Sequence, residues 1–142
     1  MIKFIILCFF LILNACSSLK KEVVDCPKVI APKKAAEVIV ISENKSSVYI
    51  GFRGISSYCT KDDDNIEMEI SVNVRAIRKG TKIEDFVPVN ISIVSTDLNN
   101  NEYERDNFSY SQFLLKGSKI VDRATIFYIK IPNGGQVYLG LS

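Results

Sequence analysis

The chain has 142 residues, with 18 Lys and Arg against 16 Asp and Glu, so its formal charge is only +2 and nucleic acid is not implied as a partner. It contains no His, which excludes Ser-His-Asp and Cys-His nucleophilic centres and the usual His-built metal sites. The absence of Trp removes one common anchor for sugars and aromatic ligands.

In chain order, the first feature is a charge, Lys3, followed by an apolar run over residues 4–13 and then Leu13-Asn14-Ala15-Cys16. A positive start, an apolar stretch of roughly 7–15 residues and a small residue at the cut make a secretory signal. The run is shorter than the ~20 residues that span a bilayer. Leu13 is too large for ordinary cleavage after Ala15, whereas Leu, a small residue and then Cys resembles the lipobox of bacterial lipoproteins. That resemblance implies a signal peptide over residues 1–15 and a diacylglycerol on the Cys16 thiol. It also implies a membrane-held protein, because several acyl chains anchor stably where one does not. Ser17 rather than Asp after the cysteine implies, by the same resemblance, the outer membrane with the domain facing the periplasm.

Removal of the signal leaves 127 residues, enough for one domain with its own core. Of the four cysteines, Cys8 leaves with the signal and Cys16 carries lipid. Cys26 and Cys59 are then expected to pair in an oxidising compartment. Residues 16–35 are polar and Pro-containing and read as a tether, with Ala35 and Ala36 permitting a turn of helix. Residues 36–142 read as the folded domain.

From Glu37 onward the periodicity is that of β-strands. Val38-Ile39-Val40-Ile41 suits a strand buried on both faces, followed by a turn at Glu43-Asn44-Lys45. Val48, Ile50 and Phe52 then alternate with polar positions, and Gly54 marks a bulge before residues 55–59. After the polar turn at residues 62–65, Ile66, Met68, Ile70, Val72, Val74 and Ala76 share one face at strict period two. Val87, Val89, Ile91 and Ile93 form the next strand. Pro88, which cannot donate to a ladder, places that strand at or beside an edge. An Asn-rich turn at residues 97–101, a mixed strand around Phe108, Tyr110 and Gln112, and a strand through Phe127, Ile129 and Ile131 follow. Pro132-Asn133-Gly134-Gly135 turns the chain into a last strand with Val137, Leu139 and Leu141. Seven strands without an amphipathic helix predict an all-β, antiparallel two-sheet sandwich of the immunoglobulin/fibronectin-III kind, with a small β-barrel as the alternative.

These pieces together resemble a group of small alphaproteobacterial lipoproteins. The resemblance is carried by the signal and lipobox, Cys26-Pro27-Lys28-Val29, Cys59 followed by the acidic turn at residues 62–64, and the long alternating strand over residues 66–78. Val87-Pro88-Val89 stands where such chains have an aromatic-rich strand, and Tyr138-Leu139-Gly140-Leu141 resembles their closing segment. The resemblance implies a lipid-anchored envelope protein and brings no catalytic activity with it.

Candidate sites are few. Asp62, Asp63 and Asp64, with Glu67 nearby, offer oxygen ligands for Ca²⁺ but lack the spacing and central Gly of an EF-hand, so an acidic turn is expected. Glu67 with Glu69, or Glu102 with Glu104, would be carboxylate pairs for glycan hydrolysis, weighed against plain solvated charges on an outward face. Tyr103, Phe108, Tyr110, Phe113, Tyr128 and Tyr138 are read either as a partner-binding surface or as core aromatics. Three Asn-X-Ser triplets, at Asn44, Asn90 and Asn107, carry no weight in a bacterial lipoprotein. No catalytic residue, cofactor or metal is expected. The function expected is a non-enzymatic binding or assembly module with an envelope protein partner. A small cell-wall glycan hydrolase, or an inhibitor of an envelope hydrolase, is the alternative.

Overall fold

A computed structural model describes residues 20–142; the signal peptide and Cys16 lie outside the described residues. The chain is a two-sheet β-sandwich, not a closed barrel. It runs through β1 (Val23–Val24), β2 (Val29–Ile30), a single helical turn α1 (Lys33–Ala36), β3 (Glu37–Ile41), β4 (Ser47–Asp62) and β5 (Asn65–Arg78). There follow β6 (Asp85–Thr96), β7 (Glu102–Leu114), β8 (Ile120–Pro132) and β9 (Gln136–Leu141). One sheet has the order β1-β4-β5-β8, with β3 also pairing β4; the other has the order β2-β9-β6-β7. Because β5 pairs with β8 while the intervening β6 and β7 pair in the opposite sheet, the connections form a Greek key.

The period-two pattern places the core as the sequence predicts. Met68, Ile70, Val72, Val74 and Ala76 of β5 are buried against Val87, Val89, Ile91 and Ile93 of β6, with Phe127, Ile129 and Ile131 of β8 and Val137 and Leu139 of β9 closing the interior. Gly54 does mark a bulge: the β4–β5 register slips between Phe52 and Gly54, with Arg53 as the extra residue. Gly135 makes the last turn possible, because a Cβ there would lie 2.1 Å from the Thr96 carbonyl.

Two expectations change and a third, for Pro88, is made more specific. The run at Val38-Ile39-Val40-Ile41 is not buried on both faces. β3 has β4 as its ladder partner, and the outer side of the sheet faces solvent, so Ile39 is 73% exposed. Pro88 lies in a strand that is internal in one half and an edge in the other. β9 pairs with β6 from Ile91 to Thr96, and the Phe86 carbonyl accepts from Glu43 N–H at 2.9 Å in the β3–β4 turn. Pro88, at the same strand parity as Phe86 and Asn90, falls between these partners, where no donor is needed. Lastly, the segment read as a tether reaches both sheets before residue 36. β1 pairs antiparallel with β4 at Cys59 and Thr60, while β2 pairs parallel with β9 at Val137 and Tyr138. The amides of Ala35 and Ala36 then close α1 onto the Pro32 carbonyl, both at 2.8 Å.

Between β1 and β2, Cys26 stands at disulfide-bonding distance from Cys59, with Cα atoms 5.3 Å apart, inside the 4.4–6.8 Å range such bonds require. The Cys59 side of the pair is buried in the core.

Candidate interaction surfaces

The residues singled out from sequence do not converge on one site. Glu67 and Glu69 share the outer face of β5, both half-buried. Glu67 is paired with Lys21, and Glu69 sits in register between Tyr58 of β4 and Tyr128 of β8. Lys21, Tyr58, Thr60, Glu67, Glu69 and Tyr128 line a hollow on that face. Glu102 is held by Arg105 through two bonds of 3.0 and 2.7 Å, which lower its pKa. Glu104 instead accepts the backbone N–H of Lys130 at the edge of β8. The four carboxylates thus have three different occupations.

Asp62, Asp63 and Asp64 form the β4–β5 turn, where Asp63 takes a left-handed φ of 53°. Among the described residues, no three His, Cys, Asp or Glu side chains are grouped to hold a metal ion. The aromatic set is dispersed. Phe108 and Tyr110 pack on the rim of the core, with Phe108 edge-on to Phe127 at 6.1 Å. Arg123 lies over the Tyr110 ring at 4.1 Å, and Phe113 packs on Phe86 at 5.0 Å on the outer face of the other sheet. Tyr103 and Tyr128 are exposed, so neither a single aromatic surface nor a purely internal role describes the group.

The most constructed surface is one the sequence reading missed. Arg78 is the last residue of β5 and occupies the core parity of Ile66 to Ala76, with 3% of its surface exposed. Its guanidinium donates to three carbonyls: Ser118 (3.0 Å), Ile83 (2.8 Å) and Leu115 (2.7 Å). Its own N–H donates to the Lys119 carbonyl at 3.0 Å, and Gly117 N–H crosses to the Thr81 carbonyl at 2.9 Å. A buried cation is tolerated only when its donors are satisfied. Here each of the three guanidinium nitrogens has a carbonyl partner, from the β5–β6 and β7–β8 loops that Arg78 binds side by side.

A second buried charge orders the neighbouring turn. Asp85, 3% exposed, accepts from Phe86 N–H (2.8 Å) and Asn44 N–H (3.2 Å), while the Asn44 side chain donates to the Glu84 carbonyl at 3.1 Å. Burial pushes the Asp85 pKa up, but bonds from Ser42, Asn44 and Phe86 outweigh it and hold the carboxyl below its ordinary range. Together Arg78 and Asp85 fix three connections at one end of the sandwich. That end exposes Ile83 (54%) and Leu115 (53%) amid five exposed lysines, Lys45, Lys79, Lys82, Lys116 and Lys119, against two exposed glutamates, Glu43 and Glu84. The opposite end carries Asp63 and Asp64 and is where the described chain enters: Lys61 N–H donates to the Glu22 carbonyl, and Lys21 reaches Glu67.

The resulting molecule is bipolar. An acidic end adjoins residues 20–22, and a lysine-rich end with two apolar tips lies about 50 Å away, at ~3.3 Å per residue along the 16 residues of β4. Among the described residues, no helix is long and apolar enough to cross a membrane. Comparison with protein-family models, with curated proteins and with solved structures finds no match for this chain.

Proposed function

We propose that this chain is a lipid-anchored envelope protein, held by acyl groups on Cys16 in the bacterial outer membrane. Its periplasmic β-sandwich is a non-enzymatic binding or assembly module. The observation that carries the reading is the pairing of the Leu13-Asn14-Ala15-Cys16 sequence with the position at which the chain enters the sandwich. An anchor joined at the acidic end leaves the Arg78-ordered loops pointing away from the anchoring membrane. Ile83, Leu115 and five surrounding lysines suit an envelope partner that is anionic and partly apolar. Anchoring confines the search for that partner to a surface and raises its effective concentration.

Two measurements test the proposal. Metabolic fatty-acid labelling of the wild-type chain should give a labelled species that Cys16→Ser abolishes; label retained in the variant removes the anchor. Photo-crosslinking residues placed at Ile83 and Leu115 should capture one envelope protein, whereas the same probe at Asp63 should not. Equal capture from both ends would refute presentation by the loop end.

A further inference from the structure

The edges of the two sheets differ in how they are guarded. Residues 52–58 of β4 have β5 as their ladder partner, and this stretch carries the bulge and the exposed Arg53. The outward edge of β7 shows Glu102, Glu104, Arg105 and Asp106, all exposed. Bulges and edge charges are the devices that keep strands from pairing with other chains. The outward edge of β8 is guarded only at its ends. At one end Lys130 N–H is taken by the Glu104 carboxylate, and the Lys130 carbonyl accepts from the Ser95 hydroxyl at 2.7 Å. At the other end Asp122 is held by Arg75 through two bonds of 2.8 Å.

These bonds also fix the direction of the free backbone groups. The N–H and C=O of Lys130 point away from β5, and the β5–β8 register is unbroken from Ile120 to Pro132. In an antiparallel pair every second residue is alike. The N–H and C=O of Ala124, Ile126 and Tyr128 therefore point off the sheet as well, and among the described residues their ladder partners all lie on the β5 side. The side chains of these residues stand on the exposed outer face, with Ile126 at 54% and Tyr128 at 62%. This is an uncharged, ladder-ready window of five residues.

We infer that this window is a dimer interface, on which a second copy of the chain pairs antiparallel about a two-fold axis through Ile126. The sequence of β8 is self-complementary about that point. Ile126 meets Ile126 of the other copy once, on the axis, while small Ala124 meets large Tyr128 and Asp122 meets Lys130 twice each, Asp122 bringing its Arg75 partner and Lys130, 3.4 Å from Asp62, its own. Six backbone hydrogen bonds form, two at each of the three facing pairs. β3, the other edge with exposed apolar residues, lacks this property: pairing about Ile39 sets Glu37 against Ile41 and leaves the charge unanswered. The inference does not depend on the lipid anchor, since it uses only β8 and its neighbours.

The test uses the full chain, extracted in an excess of mild detergent. Ile126→Cys, treated with a short thiol-to-thiol crosslinker, should yield a covalent dimer, because facing Cα atoms in a hydrogen-bonded pair lie about 5.5 Å apart. Leu98→Cys, on the 74% exposed turn after β6, should not. In the Ile126→Cys background, Asp122→Lys and Lys130→Asp should each lower the crosslinked yield, at least about tenfold at limiting concentration, by placing like charges opposite. A one-to-one mixture of the two should recover it, since both cross-strand contacts then become attractive. That recovery cannot come from a merely structural effect of either variant. No dimer beyond the Leu98→Cys control, or no recovery in the mixture, overturns the inference.

Discussion

Replacing Arg78 with Met tests whether the loop end is built or incidental. Met keeps much of the aliphatic stem and removes all the guanidinium donors. Three carbonyls, at Ser118, Ile83 and Leu115, then lose their bonds at once. Hydrogen bonds to charged groups contribute roughly 1.5–3 kcal/mol each. Against that stands relief from burying a charge, which returns several kcal/mol, and loop carbonyls regain some water. The expected net loss is about 3–4 kcal/mol, or a fall in Tm of about 10–15 °C for a domain of this size. Urea unfolding measures the stability, and amide exchange at Gly117, whose N–H bridges to Thr81, reports the loops locally. Arg78→Lys should recover part of the stability, because one ammonium cannot reach three loop carbonyls together. A loss below about 1 kcal/mol with Gly117 still protected would show that the loops hold themselves, and the assignment of Arg78 as their organiser would be wrong.

Two further outcomes follow from the same structure. Mass analysis after denaturing alkylation without reductant should find Cys26 and Cys59 unmodified; two alkylated thiols would refute the bond. Cys26→Ser with Cys59→Ser should then lower stability by about 4 kcal/mol in the chain-entropy treatment of a 33-residue separation. For Asp85 the folded pKa lies below the unfolded one, so its contribution is complete above about pH 4 and is lost as pH falls through the folded value. The urea midpoint should therefore decline on acidification below about pH 4, and less steeply in Asp85→Asn. Identical slopes would remove Asp85 from the balance.

The sequence made legible whatever repeats. β5, β6, β8 and β9 each present an apolar residue at every second position, and burial follows that pattern almost residue by residue. β1 and β2 escaped because two-residue strands have no period to read. The exposure of Ile39 was illegible because β-branched residues suit a strand whether or not its outer face is covered. Arg78 had a signal: a charge at core parity at the end of the longest alternating run. Locally that pattern also fits a strand leaving the sheet, and the three carbonyl partners lie 5, 37 and 40 residues away.

The excursion of the chain after β1 has a mechanical consequence. Tension applied through residue 20 acts first on the Lys21–Glu67 pair and the Lys61 N–H to Glu22 carbonyl bond, then on the short ladder that pairs Val23 and Val24 with Thr60 and Cys59, which can peel one residue at a time. Peeling stops at Cys26, because a bond from there to Cys59 hands the load to the far part of β4, which is zipped to β5 over its whole length. The stitch thus acts as a strain relief: a pull through residue 20 can fray six residues at the acidic end without disturbing the loops fixed by Arg78 and Asp85.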